Sequence, residues 1–66
     1  MIKLVPIFLI CAGDPRECTP YYGARDVIRG DAVSSEVECA KVAQALGARL
    51  LLASTETPKV MCEREE

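Results

Sequence analysis

Cys11, Cys18, Cys39 and Cys62 are spread through a chain of only 66 residues, and they constrain its fold more than any other feature. A chain of this length buries only about 60% of the surface that its unfolded form exposes. Ordering it costs on the order of 1.5 kcal/mol per residue, which apolar burial can about match and no more. The interior must also be built from small pieces: half the residues are hydrophobic, yet Phe8, Tyr21 and Tyr22 are the only aromatics and there is no tryptophan. An aliphatic core of Ile, Leu, Val and Ala on this scale needs covalent cross-links, a metal or a partner chain. The length allows one domain, residues 1–66.

Of these supports, disulfides fit the cysteines best. Four cysteines in a short chain read as a two-bridge framework with three possible pairings. Zinc prefers paired ligands such as C-x2-C, often with histidine. Here six, twenty and twenty-two residues separate successive cysteines, and histidine is absent. The chain also lacks the C-x-x-C motif of a thioredoxin-like protein. Four free thiols buried as small hydrophobes are the plainer alternative.

The run Ile2–Cys11 is apolar on both faces, the pattern of a central strand covered on both sides. Pro6 cannot donate to a ladder, so the strand is expected to be unpaired or bulged there. The stretch Leu4–Ala12 behind Lys3 has the look of a weak export signal, but it is too short to span a bilayer, which takes about 20 apolar residues. Ile10 also stands where a lipoprotein box has a small residue before the cysteine. The expectation is a retained, buried strand. Ala12-Gly13-Asp14-Pro15 is turn chemistry, and the polar stretch to Gly23 carries Pro20 and the adjacent pair Tyr21-Tyr22. Ala24–Arg29 predicts a short second strand, closed by Gly30-Asp31.

Ser35 and Glu38 form an S-x-x-E capping box, in which hydroxyl and carboxylate satisfy orphan backbone donors at a helix start. Cys39, Val42, Ala43, Leu46, Leu50 and Ala53 then fall on one face at three- and four-residue spacing. Gly47 costs about 1 kcal/mol inside a helix. Residues 48–53 are therefore open to two readings, continued helix or a strand over Leu50–Leu52; the unbroken stripe favours helix. Lys59–Glu63 predicts a last strand ahead of a charged tail. The elements add up to a small α+β domain of ββαβ order, an antiparallel sheet of about three strands packed on one helix.

A chain running up, down, up and down places Cys11 and Cys18 at one end of a hairpin, and brings Cys39 over Cys62. Cys11–Cys18 with Cys39–Cys62 is therefore the preferred pairing, and Cys18–Cys62 with Cys11–Cys39 the second. Cys18, in a loop, is expected to be the most exposed and the one able to bond to another chain. Loop entropy assigns about 2.5 kcal/mol to the shorter preferred ring and about 3.4 kcal/mol to the longer. Set against a total of roughly 5 kcal/mol for so small a chain, these bonds decide whether it folds.

A net charge of −2, with no run of basic residues, argues against nucleic-acid binding, which needs a basic face. Catalysis has little to work with. Without histidine there is no Ser–His or Cys–His pair. Asp14, Glu17, Asp26 and Asp31 sit in turns or at strand edges, and the four glycines form no phosphate-binding pattern. The chain is expected to be non-enzymatic, without cofactor or metal. Tyr21 and Tyr22 are the candidate interface, as adjacent aromatics in a loop can anchor a partner, although packing over the sheet edge is an equal alternative.

Asp14-Pro15-x-x-Cys18 after a strand ending in Cys11, then Asp26-Val27-Ile28-Arg29, Ser35-Glu36-x-Glu38-Cys39-Ala40 and Lys59-Val60-Met61-Cys62-Glu63-Arg64, span nearly the whole chain. Together they resemble an uncharacterised group of short four-cysteine proteins of alphaproteobacteria and their phages and prophages. That resemblance implies a ββαβ-like fold and the four cysteine positions, and carries over no catalytic residue. It also suits the redox question, because a phage particle is built in a reducing cytosol and oxidised after release. The leading expectation is a virion-associated structural or accessory protein, of a phage tail or capsid, docked on larger subunits. A free periplasmic or secreted binding domain is the alternative, and a small zinc or redox protein the third.

Overall fold

β1 (Lys3–Cys11) runs through the middle of a three-stranded sheet, between β2 (Ala24–Arg29) and β3 (Thr57–Glu65), and is antiparallel to both. One helix, α1 (Glu36–Leu46), joins β2 to β3, completing the expected ββαβ order. The structure is a computed structural model and describes residues 2–50 and 52–65. Because successive side chains of a strand point to opposite faces, the two-sided apolar run of β1 serves two half-cores. Pro6 to Cys11 are all buried.

On one face, Pro6, Phe8 and Ile10 lie under α1, whose Cys39 and Ala43 are fully buried and whose Val42 and Leu46 are half-buried. On the other, Ile7, Leu9 and Cys11 form a cluster with Cys18, edged by Val5, Ala24, Val27 and Met61. The loop over residues 12–23 covers that second face. Each cover is fastened by one disulfide: Cys11–Cys18, with Cα atoms 5.8 Å apart, holds the loop, and Cys39–Cys62, at 6.2 Å, holds the helix to β3. The preferred pairing is the one formed.

Pro6 stays within the central strand without disturbing its pairing with β3, where it faces Cys62. In an antiparallel ladder a residue turns its N–H and C=O toward the same neighbour. The Pro6 carbonyl accepts the Gly30 N–H at 2.9 Å, so its missing donor falls on the β2 side, just past the last β2 residue, Arg29. Beyond Gly30 the chain takes in one extra residue before Val33 and Leu4 exchange hydrogen bonds of 2.7 and 2.8 Å. The irregularity thus lies in the partner segment. A second bulge sits between Ile10 and Cys11, where Arg25 has no partner in β1.

The Ser35 hydroxyl caps α1 by accepting the Glu38 N–H at 3.4 Å, which is one half of the expected capping box. The return bond from the Ser35 N–H to the Glu38 carboxylate is not formed, and Glu36 and Glu38 lie at the positive end of the helix dipole. The far end departs from the expectation. The helix stops at Leu46, and residues 47–49 form a turn; Leu50 and Leu52 belong to no strand, and Leu51 lies outside the described residues. The cause is tertiary. A Cβ on Gly47 would lie 2.2 Å from the Phe8 ring, so the chain can press against the sheet here only because the residue has no side chain. Ala53 and Glu56 then close a turn into β3, in which the Glu56 carboxylate accepts the Ala53 N–H at 2.8 Å and pairs with Arg25 of β2.

Candidate functional site: the tyrosine loop

The loop over residues 12–23 begins with a local anchor. Asp14 accepts the Arg16 N–H at 2.9 Å and pairs with the Arg16 guanidinium at 2.9 Å, so the chain enters a 3-10 turn, Pro15–Glu17, with proline at its start. The guanidinium holds the Asp14 carboxyl below its ordinary pKa, and the carboxylate in return raises that of Arg16. Cys18 follows, and its bond to Cys11 pins the loop to the end of β1. It is only 1% exposed, so the expectation that Cys18 would be the accessible cysteine is corrected: it belongs to the core. The local reason is that its side chain turns inward onto Ile7, Leu9 and Cys11. An inter-chain bond through Cys18 goes with it, since every cysteine is paired within the chain.

Thr19-Pro20-Tyr21-Tyr22 is a β-turn. Tyr22 N–H donates to the Thr19 carbonyl at 3.3 Å, Thr19 N–H donates to the Tyr22 carbonyl at 2.7 Å, and the Thr19 hydroxyl accepts the Tyr21 N–H at 3.1 Å. Proline in the second position pre-sets that residue's angle, and neither Pro20 nor Tyr21 has positive φ, which makes the turn type I. Gly23, at φ 83°, then redirects the chain into β2. A side chain there would be strained by that angle, which glycine alone adopts freely.

This turn puts both tyrosines on the outside, each 76% exposed. Tyr21 nonetheless is held. Its hydroxyl donates to the Glu63 carboxylate of β3, 3.0 Å from each oxygen, and the Arg29 guanidinium of β2 lies 5.8 Å from its ring centroid. A cation over an exposed ring contributes about 0.5–1 kcal/mol. Tyr21 therefore bridges the two outer strands across the loop-covered face, which is the edge-packing reading. Tyr22 instead lines an open hollow of about 480 Å³ with Ala12, Gly13, Asp14, Glu17 and Gly23.

Two positions that the sequence does not single out complete the site. Lys59 of β3 points onto the same face and donates to the carbonyls of Pro15 and Cys18, both at 2.8 Å. It fastens the loop opposite the disulfide. Glu63, the anchor of Tyr21, is the other. Both are ordinary charged residues of a strand, and only the register that carries them under the loop distinguishes them.

Among the described residues no group of three or more His, Cys, Asp or Glu converges as a metal site. Of the carboxylates considered for chemistry, only Asp14 and Glu17 share a site, the open hollow beside Tyr22. Asp14 pairs with Arg16, Asp26 pairs with Arg25 at 3.1 Å, and Glu17 and Asp31 are exposed. No helix among the described residues is long and apolar enough to cross a membrane. What the face offers is a rigid surface: two exposed aromatic rings, a carboxylate, two cations and a shallow hollow, fixed by a covalent bond and by Lys59. Comparison with protein-family models finds no match. Comparisons with curated proteins and with solved structures find none either.

Proposed function

We propose that the chain is a non-enzymatic binding piece, docked on larger protein subunits outside a reducing cytosol. The setting suggested by its sequence resemblance is a phage tail or capsid. The observation that supports docking is the pair Tyr21 and Tyr22, each 76% exposed on the turn. Interfaces are enriched in tyrosine, and a loop already fixed by Cys11–Cys18 and Lys59 has little freedom left to lose on association. Two intramolecular disulfides support an oxidising destination.

The test is the composition of intact particles from a producing culture, with thiols alkylated before purification. The chain should be present at fixed stoichiometry with both disulfides closed. A Tyr21→Ala/Tyr22→Ala variant that folds and oxidises normally should drop out of the particle. Recovery of the wild-type chain only in the particle-free periplasm or medium rejects the virion reading and leaves a free binding domain.

A further inference from the structure

β3 is an edge. It pairs with β1 on one side only, and along its other side, from Thr57 to Glu65, no strand lies beyond it among the described residues. Which backbone groups face outward follows from the ladder. Pro6 turns its carbonyl toward Gly30, on the β2 side, so Val5, Ile7 and Leu9 turn theirs toward β3. Their partners Glu63, Met61 and Lys59 point inward, and Pro58, Val60, Cys62 and Arg64 present their backbone outward. None of these four joins a backbone hydrogen bond outside the sheet among the described residues. Val60, beside this edge, is 37% exposed, and Pro58, Arg64 and Glu65 are exposed as well.

We infer that this edge pairs with the same edge of a second copy, antiparallel about a two-fold axis at Met61, giving a continuous six-stranded sheet across the dimer. The occupant is chosen by the residues that each alignment sets face to face. Centred on Met61, the pairing puts Met61 against Met61 and Val60 against Cys62. Lys59 then faces Glu63 on both sides of the axis. Opposite charges face each other and apolar residues face apolar ones, as cross-strand pairs require. The outward groups of Val60 and Cys62 meet as hydrogen-bonded pairs. The Arg64 N–H meets the Pro58 carbonyl, where proline's missing donor forfeits one bond at each end.

The neighbouring alignments lack this match. Centring on Cys62 sets Met61 against Glu63 and Val60 against Arg64, and centring on Glu63 sets that carboxylate against itself. Parallel in-register stacking sets Lys59 on Lys59, Glu63 on Glu63 and Glu65 on Glu65, which repel. The charges thus favour the antiparallel pair over the parallel one. Lys59 has three donors, of which its two loop carbonyls use two, and a carboxylate that accepts one tyrosine hydroxyl retains free lone pairs. The pairing therefore adds to the loop clamp without displacing it.

The experiment uses the whole oxidised chain, half of it labelled with nitrogen-15. Carbodiimide joins touching amines and carboxylates, and the expected product is a Lys59–Glu63 isopeptide linking a labelled chain to an unlabelled one. Light scattering on the same protein should give a reversible two-chain mass. Glu63→Lys should weaken the dimer by on the order of tenfold or more, since two attractive pairs become repulsive. Its circular dichroism and disulfide count should be unchanged. A one-chain mass at millimolar concentration, or a dimer whose cross-links fall elsewhere and which Glu63→Lys leaves intact, overturns the proposal. So does capture of the edge solely by a different protein.

Discussion

Replacing Gly47 with alanine sets two physical effects against each other, and the structure decides the sign. Sequence reasoning alone predicts a gain, because alanine is favoured over glycine in a helix by about 1 kcal/mol. The new methyl, however, would lie 2.2 Å from Cε2 and Cζ of Phe8 and 2.5 Å from Cδ2, far inside van der Waals contact. Phe8 is only 6% exposed and sits in β1 between two neighbouring strands, so its ring has no open space to enter. The helix end must lift away or the ring must leave its place. Forced overpacking costs about 1–3 kcal/mol, and an approach of 2.2 Å falls at the upper end of that range. A net loss of about 2 kcal/mol is left after the propensity gain.

For a domain this small, each kcal/mol lowers the melting temperature by roughly 4–8 °C. Thermal and urea unfolding of the oxidised chain, followed by circular dichroism, is the assay. Gly47→Ala should melt about 8–16 °C below wild type on these figures. Gly13→Ala is the control: nothing lies within 4 Å of its added methyl and its φ is not positive, so it should match wild type or exceed it slightly. Phe8→Leu shortens the obstructing ring, and combining it with Gly47→Ala should cost less than the sum of the two single changes. A Gly47→Ala chain at least as stable as wild type would refute the steric account of where the helix ends.

The two disulfides should separate by ring size. Cys39→Ala/Cys62→Ala should lower stability by about 3.4 kcal/mol and Cys11→Ala/Cys18→Ala by about 2.5 kcal/mol, measured by urea titration. Lys59→Met removes both donors to the loop carbonyls and should cost about 1–3 kcal/mol, with faster amide exchange at Cys18 and its neighbours while α1 stays protected. Asp14 should titrate below the usual carboxylate range by NMR and return toward it in Arg16→Ala, since the guanidinium is the main cause of the depression. A depressed folded-state pKa contributes stability above the unfolded value and loses it as pH falls through the folded one. The loop's local order should therefore weaken only at acid pH.

The parts of the fold that depend on local pattern could be read from the sequence. Apolar residues on both faces of β1 marked the middle strand, Ser35-x-x-Glu38 marked the helix start, and simple up-and-down topology was enough to pair the cysteines. Features that depend on distant contacts could not. The apolar stripe ran on through Leu50 and Ala53, but Phe8, far away in sequence, required the chain at Gly47 to lie too close to the sheet for a side chain. Cys18 sat among polar residues and looked exposed, yet its bond to Cys11 draws it beneath the loop. At the candidate site, Tyr21 and Tyr22 stood out as an aromatic pair. Lys59 and Glu63 acquire their places only from the pairing of β3 with β1.

That pairing has a bearing on how the chain oxidises. Met61 and Lys59 face the loop while Cys62 faces the helix, because neighbouring strand residues point to opposite sides. If β3 zipped up shifted by a single position, the thiol would be carried to the wrong side of the sheet, away from Cys39, and the ammonium would leave the two carbonyls that it holds. A chain misaligned by one residue thus cannot close its larger ring. Sulfur chemistry then acts as a gate on folding, making permanent only those molecules whose last strand has already found its place.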